Sequence, residues 1–236
     1  MKLSEQLRRA RTKRGWSQVQ TAAAGVVAEY PSERGSVRVT ELVTGLSNPW
    51  ALAFLPDGSA LVTERSGYLR RIGTDYSVSA PLAGVPPVYV DGQAGLLDVA
   101  IGPDFANDAQ VYIAYCEPSF RGNLCGTAVA RGRLTAAGLA QVEVIFRQEP
   151  KLSAGTHVGA RLMFDGAGHL FVTLGEHRQA PLSQALDKLQ GKLVRIFPDG
   201  GIPPDNPFVE RTGARPEIWS YGHRNMQGAN LATGLY

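Results

Sequence analysis

One pattern of apolar and turn-forming positions recurs along the chain from residue 37 onward. A short apolar stretch is followed by a Pro-Asp or Asp-Gly turn and then by a second apolar stretch. Aliphatic runs bounded by such turn residues are typical of strands. The pattern therefore predicts three antiparallel strand pairs, formed by residues 51–55 with 60–64, 97–101 with 111–115, and 161–164 with 169–173.

Further apolar stretches extend each unit. Residues 68–72 and 192–196 read as third strands, and a fourth copy of the pattern starts at residue 228. Repeating units that each contain several strands are typical of propeller blades, which cover one another's apolar faces. We therefore expect an all-β chain that forms a partial β-propeller of three to four blades. A β-sandwich with irregular strands is the alternative fold.

The first 32 residues have a different composition. Six of the first 16 residues are basic and one is acidic, and the rest of the chain has 18 basic and 20 acidic residues. We expect a short N-terminal helix over residues 3–18. Residues 1–32 are read as an N-terminal extension, helical or disordered, and residues 33–236 as the incomplete propeller. The apolar run 22–28 also fits a degraded export signal. A complete helix-turn-helix domain is disfavoured because the turn residues that follow come too early.

Charge and hydropathy exclude two classes of partner. The near-neutral body of the chain lacks the basic surface of a nucleic-acid-binding protein, so no nucleic acid is expected. No run of 18 apolar residues occurs, so no membrane span is expected either. The sequence leaves the oligomeric state open.

Three polar segments lie next to predicted strand starts. They contain Gln93 between glycines, His157, and the pair Arg224 and Asn225. Because the inner strands of successive blades ring the channel mouth, these side chains can converge on one site. A histidine with a pKa near ~6.5 can accept a proton at neutral pH. Taken singly, Gln93 and His157 are better explained by structural roles in turns.

Four stretches together resemble the glucose/sorbosone dehydrogenase family, the soluble pyrroloquinoline quinone (PQQ)-dependent aldose sugar dehydrogenases. They are LSNPWALAFLPDG (46–58), GQAGLLDVAIGPDF (92–105), HVGARLMFDGAGHLFVTLGE (157–176), and GKLVRIFPDGGIPPDNPF (191–208) with SYGHRNMQG (220–228). The resemblance implies a six-bladed β-propeller with PQQ and calcium at the top of its channel. It also implies oxidation of an aldose to a lactone, with electrons passed to an external acceptor.

The resemblance assigns roles to four residues. His157 matches the catalytic base, and Gln93, Arg224 and Asn225 match residues that contact the quinone. Arg224 is also expected to act in catalysis, by stabilising negative charge on the quinone oxygen. No metal ligand is assigned to this chain, because the family's calcium ligands are expected beyond residue 236. Asp199 and Asp205 are read as turn-capping residues.

The same resemblance leads us to expect a C-terminally truncated enzyme, and we expect the 236-residue chain to lack activity. A non-catalytic propeller that serves as a binding scaffold is the alternative function. A periplasmic or secreted location is expected from the family, and the weak signal leaves a cytoplasmic location open. Cys116 and Cys125 lie in a predicted hairpin, where they can form a disulfide or remain two thiols.

Overall fold

Antiparallel strands make up nearly all the regular structure of residues 26–33, 35–153 and 155–230, which are the residues that the computed structural model describes. The exceptions are a one-turn helix, α1 (Phe105–Asp108), and a 3-10 turn (Ala180–Ser183). The all-β class is therefore confirmed. The helix predicted over residues 3–18 and the last predicted strand, 233–236, lie outside the described residues.

The strands form a hairpin and three larger sheets. The hairpin consists of β1 (Val26–Ser32) and β2 (Gly35–Thr40). Blade 1 contains β3 (Pro49–Phe54), β4 (Ala60–Glu64) and β5 (Tyr68–Ile72). Blade 2 contains β6 (Leu96–Ile101), β7 (Gln110–Pro118), β8 (Cys125–Leu134) and β9 (Leu139–Arg147). Blade 3 contains β10 (Gly159–Phe164), β11 (Leu170–Leu174), β12 (Lys192–Ile196) and β13 (Ile218–Tyr221).

Each blade is a meander in which consecutive strands pair with antiparallel neighbours. The first strands of the three blades, β3, β6 and β10, pack next to one another in the order of the chain. This arrangement confirms the prediction of a partial propeller built from consecutive blades. The strand pairs predicted at residues 51–64, 97–115 and 161–173 are β3–β4, β6–β7 and β10–β11.

Blade 2 is buried on both faces, and its side chains alternate between two separate cores. On β7, Tyr112 and Ala114 belong to the core shared with blade 3, whereas Ile113 and Tyr115 belong to the core shared with blade 1. Successive residues of a strand point to opposite faces of the sheet, so one continuous apolar strand supplies both cores. The two-sided burial expected for a blade between neighbours is thus present.

The β1–β2 hairpin stands apart from this packing. The residues of its strands whose burial is described are all exposed, and its large side chains include Tyr30, Val37 and Val39. The predicted division between residues 32 and 33 falls at the turn of this hairpin. The two-domain division itself stays a prediction.

Of the two alternatives for Cys116 and Cys125, the structure has the two thiols and not the disulfide. Both residues are buried thiols, and the Cys116 thiol donates a hydrogen bond to the Cys125 sulfur, which raises the pKa of Cys116. The register pairs Cys116 with Thr127 and Cys125 with Pro118. The cysteines are therefore diagonal neighbours, whose Cα atoms lie roughly 7–8 Å apart in such a ladder, beyond the usual reach of a disulfide.

No helix among the residues described is both long enough and apolar enough to cross a lipid bilayer.

The packing between blades 1 and 2 predicts a contrast between two leucines. Leu61 on β4 is fully buried in the shared core, whereas Leu52 on the adjacent β3 is 47% exposed. We expect Leu61→Ala to lower the free energy of unfolding by about 2–5 kcal/mol, through lost burial and the cavity left behind. Leu52→Ala, the control, should change it by about 0.5 kcal/mol or less. Urea unfolding measures both, and equal losses would contradict the assigned faces.

Candidate functional site

The three predicted polar segments meet at one end of the blades. In an antiparallel meander, the first strand begins at the same edge where the second and fourth strands end. Blades 2 and 3 therefore bring four stretches to this edge. They are the Gln93 loop (91–94) before β6, the His157 loop (155–158) before β10, the Glu176 turn (175–177) after β11, and the 224–227 segment after β13.

Glycines let the Gln93 loop and the His157 loop touch through their backbones. The amides of Gln93 and Ala94 both donate to the Gly155 carbonyl, at 2.7 and 3.1 Å. A Cβ on Gly92 would lie 2.8 Å from that carbonyl oxygen, and one on Gly155 would lie 2.5 Å from the Asp91 carbonyl oxygen. Side chains at either position would push the two loops apart.

His157 is held in a left-handed backbone conformation with φ of 52°. Its N–H donates to Gln93 Oε1 at 2.8 Å, and its carbonyl accepts from the His177 N–H at 3.2 Å. Such a conformation costs a residue with a side chain of order 1–3 kcal/mol and is frequent at functional sites. The contacts on both sides of His157 oppose that cost.

The His157 ring forms a short hydrogen bond with Glu176. Nδ1 lies 2.5 Å from Glu176 Oε1, and the side chains of His157 and Glu176 are only 11% and 4% exposed. An ionised carboxylate only accepts hydrogen bonds, so His157 donates from Nδ1. Nε2 is then the ring nitrogen with a lone pair for proton transfer. The second oxygen of the carboxylate, Oε2, is buried and has no hydrogen-bond partner among the residues that the structure describes.

Asn225 and Arg224 approach His157 from the 224–227 segment. Asn225 Oδ1 accepts from the Gly159 N–H at 3.1 Å, and Asn225 Nδ2 lies 3.5 Å from Gln93 Oε1. The Arg224 carbonyl accepts from the Glu176 N–H at 3.0 Å. The Arg224 side chain is 80% exposed, with Nε 3.9 Å from Glu176 Oε1. A cation and two amide side chains thus border the cleft around His157.

A buried polar layer supports the Glu176 turn from below. Gln148, which follows β9, donates from Nε2 to the Gly175 carbonyl at 3.0 Å. Its Oε1 accepts from the Thr127 N–H at 3.1 Å and lies at the same distance from His177 Nε2. These bonds connect blade 2 to the residues on either side of Glu176. They fix the position of the Glu176 carboxylate that contacts His157.

Lys192 helps to position the residues that precede the 224–227 segment. It is fully buried, and its Nζ donates to the carbonyls of Leu182, Ser183 and Gln190 at 2.7–2.9 Å. Burial lowers the pKa of Lys192 to about 8. Burial and the nearby Lys192 charge also lower the pKa of His223, whose Nε2 lies 2.7 Å from Ser220 Oγ. The Ser183 carbonyl also accepts from the Gly222 N–H, which anchors the start of the loop.

The structure brings all four sequence-predicted site residues to one cleft, although Arg224 faces solvent. Sequence reasoning missed Glu176, which lies 19 residues after His157 and reaches it through the pairing of Gly159 with Leu174. An acidic residue directly after a predicted strand of the His157 blade was the available signal.

The two turn aspartates have local partners. Asp199 accepts from the Gly201 N–H, and Asp205 pairs with Arg195. In the described ranges, no group of three or more His, Cys, Asp or Glu side chains is arranged to hold a metal ion.

Comparisons with known proteins agree on one family. Residues 46–234 match the Glucose / Sorbosone dehydrogenase family. Aldose sugar dehydrogenase YliI of Escherichia coli (strain K12) is 52% identical over 196 residues, which cover 82% of this chain and 53% of that protein.

Solved structures show the same relationship. The apo-form of the soluble aldose sugar dehydrogenase from Escherichia coli superposes with a TM-score of 0.73 at 52% identity, covering 76% of this chain and 52% of that one. The PQQ-bound form of aldose sugar dehydrogenase from Streptomyces coelicolor gives 0.66 at 30% identity, covering 86% and 55%. The chain therefore spans about half the length of the relatives it matches.

The His157–Glu176 bond predicts a tautomer preference. Hydrogen bonds to charged groups contribute about 1.5–3 kcal/mol, so Glu176→Gln should move the ratio of Nδ1–H to Nε2–H tautomers of neutral His157 by about tenfold or more toward Nε2–H. Imidazole ¹⁵N chemical shifts report this ratio. His169, whose Nδ1 contacts Asp165 Oδ2 at 2.8 Å, is the matched control. Asp165→Asn should alter only His169, and unchanged His157 shifts in Glu176→Gln would contradict the pairing.

Gly175 predicts a steric requirement beside His157. A Cβ at this position would lie 1.6 Å from the His157 carbonyl oxygen, and the backbone would have to move. We expect Gly175→Ala to cost about 3 kcal/mol of stability or more, at the upper end for overpacking. Gly166→Ala places its Cβ in open space and should be neutral or slightly stabilising. Thermal unfolding of both variants tests the contrast, and comparable melting temperatures would refute the close approach.

Proposed function

Because the chain belongs to the Glucose / Sorbosone dehydrogenase family, we propose that its site oxidises the anomeric carbon of an aldose sugar to a lactone with PQQ as cofactor. Two relatives support this reaction, the aldose sugar dehydrogenase of Escherichia coli and the PQQ-bound enzyme of Streptomyces coelicolor. The arrangement of His157 and Glu176 is the single observation on which the chemistry rests.

His157 acts as the general base in this proposal. Its Nδ1–H is committed to Glu176, so Nε2 is oriented to accept the proton of the anomeric hydroxyl. When Nε2 takes that proton, the ring becomes an imidazolium beside a nearly buried carboxylate. The ion pair stabilises the protonated ring, and a positioned base of this kind contributes roughly 10²–10⁴-fold to the rate.

The donors around the cleft fit a planar, anionic quinone. Gln93 uses Oε1 to hold the His157 amide, which leaves its Nε2 donors for a ligand. Asn225 likewise uses Oδ1 on Gly159, and one of the two Nδ2 hydrogens faces Gln93 Oε1 at 3.5 Å, which leaves the other for a ligand. The exposed Arg224 guanidinium presents forked donors that suit carbonyl and carboxylate oxygens. These three residues would hold the quinone, and Arg224 would stabilise negative charge that develops on it.

When bound, PQQ supplies the hydride acceptor, and calcium would add Lewis-acid polarisation of the same centre. An external electron acceptor and a periplasmic or secreted location complete the proposal, on the strength of the family. The chain's own residues bind and orient the quinone, and His157 removes the proton of the sugar hydroxyl.

Two proteins test this function, the 236-residue chain and a chimera that continues it with the remaining sequence of the Escherichia coli relative. PQQ binding is measured by fluorescence, and turnover by dye-linked aldose oxidation with calcium present. Whichever protein turns over, we expect His157→Ala to keep the PQQ dissociation constant within about twofold and to lower turnover by roughly 10²–10⁴-fold. Arg224→Ala should weaken PQQ binding as well as turnover.

His169→Ala removes a second carboxylate-paired histidine and should leave both measurements unchanged. Turnover of His157→Ala within about threefold of the parent would remove the base assignment. If neither the chain nor the chimera binds PQQ or oxidises an aldose, the sugar dehydrogenase proposal is wrong and the binding-scaffold alternative replaces it.

A further inference from the structure

The 224–227 segment has no regular secondary structure, so individual contacts must fix its position. Each of its residues accepts at least one hydrogen bond from blade 3. The Arg224 and Met226 carbonyls accept from the Glu176 N–H and the Thr173 hydroxyl, and Asn225 Oδ1 accepts from the Gly159 N–H. The Gln227 carbonyl accepts from the Arg161 side chain. Three of these partners are backbone amides or a hydroxyl, and the fourth is a cation.

Arg161 connects the segment to the inner strands of all three blades. Its Nε and Nη2 donate to the Gln227 carbonyl at 3.1 and 3.0 Å. Its Nη1 donates to Asp98 Oδ1 on β6 at 3.0 Å. The guanidinium also stacks over the ring of Trp50 on β3, with Cζ 4.4 Å from the ring centroid. No single-point cation could make the forked bond, the ion pair and the stack together.

Asp98 gives this arrangement a rigid anchor. It is only 4% exposed, and burial raises its pKa while backbone hydrogen bonds and Arg161 oppose that rise. Its Oδ2 accepts from the Leu162 N–H at 2.7 Å, and Oδ1 accepts from the Val99 N–H at 2.9 Å. With the carboxylate fixed at both oxygens, the guanidinium plane is fixed as well. As a result, the two remaining donors of Arg161, Nε and Nη2, point toward the Gln227 carbonyl.

We propose that Arg161 is a positioning residue that holds Arg224 and Asn225 in place by clamping the Gln227 carbonyl, and so sets the affinity of the site for the quinone. The link to quinone affinity rests on the proposed function, whereas the clamp does not. An ion pair that only joined blades 2 and 3 would satisfy Asp98 and would not need two further donors on a loop carbonyl.

Arg131, on β8 of blade 2, provides a matched control. Its side chain is 29% exposed, against 28% for Arg161. It also makes a forked contact, with Glu143, and donates to one backbone carbonyl, that of Pro198, at 3.2 Å. Arg131 thus has the same kinds of partner but no contact with the 224–227 segment among its hydrogen bonds.

The test compares Arg161→Lys with Arg131→Lys in two measurements. Hydrogen–deuterium exchange of the Gly159 and Glu176 amides, which donate to Asn225 Oδ1 and to the Arg224 carbonyl, should become at least tenfold faster in Arg161→Lys without quinone and stay unchanged in Arg131→Lys. The PQQ dissociation constant should rise about tenfold in Arg161→Lys alone, a change of about 1.4 kcal/mol. Unchanged exchange in Arg161→Lys would overturn the clamp, even if the chain binds no quinone.

Faster exchange with a PQQ dissociation constant within twofold of the parent would overturn the link between the clamp and affinity. Thr173→Val gives a second variant if Arg161→Lys does not fold, because it removes the hydroxyl that donates to the Met226 carbonyl and accepts from the Arg161 N–H, both at 2.8 Å. It should reproduce the faster exchange. Thr63→Val, which removes the corresponding hydroxyl of blade 1 that bonds the Leu97 carbonyl, should not.

Discussion

Three buried threonine hydroxyls hold successive segments of the chain in register, and two of them position residues of the site. Each donates to a carbonyl of a later segment of the chain: Thr63 to Leu97 at 2.5 Å, Thr127 to Val158 at 2.8 Å, and Thr173 to Met226 at 2.8 Å. A hydroxyl buried without a partner would be unfavourable, so these bonds fix the position of blade 2 on blade 1, of blade 3 on blade 2, and of the 224–227 segment on blade 3. Val158 follows His157 in the chain, and Met226 follows Asn225. The hydrogen bonds to Val158 and Met226 therefore position the side chains of His157 and Asn225.

The same geometry explains why a strained residue can serve as the proposed base. His157 has a left-handed backbone, yet its amide and its carbonyl are both hydrogen-bonded, and its ring is held by Glu176. The turn that carries Glu176 passes so close that only glycine fits at position 175. Blade packing thus opposes the local cost, and the imidazole is held in one orientation before any ligand arrives.

Local patterns predicted the blades well because strand and turn signals act over a few residues. The convergence of Gln93, His157, Arg224 and Asn225 also followed from blade geometry. The role of Glu176 did not, because it requires the register of β10 on β11. Register also separates the two cysteines, which are close in sequence yet diagonal in the ladder. The strands β1, β2, β9 and β13 were missed, and residues 26–32 were expected to be helical or disordered. The prediction relied on continuous apolar runs, whereas β9 alternates polar and apolar residues and β13 has only four residues after a long loop.

The alternating side chains of blade 2 have a consequence for how such a sequence can evolve. A single inserted or deleted residue within β7 would exchange the side chains of its two faces and disrupt both neighbouring cores at once. Substitutions of similar volume can accumulate there, but changes of length cannot. Length variation between homologous chains should therefore concentrate in the connections, such as residues 73–90 and 197–217, which join strands without setting their faces.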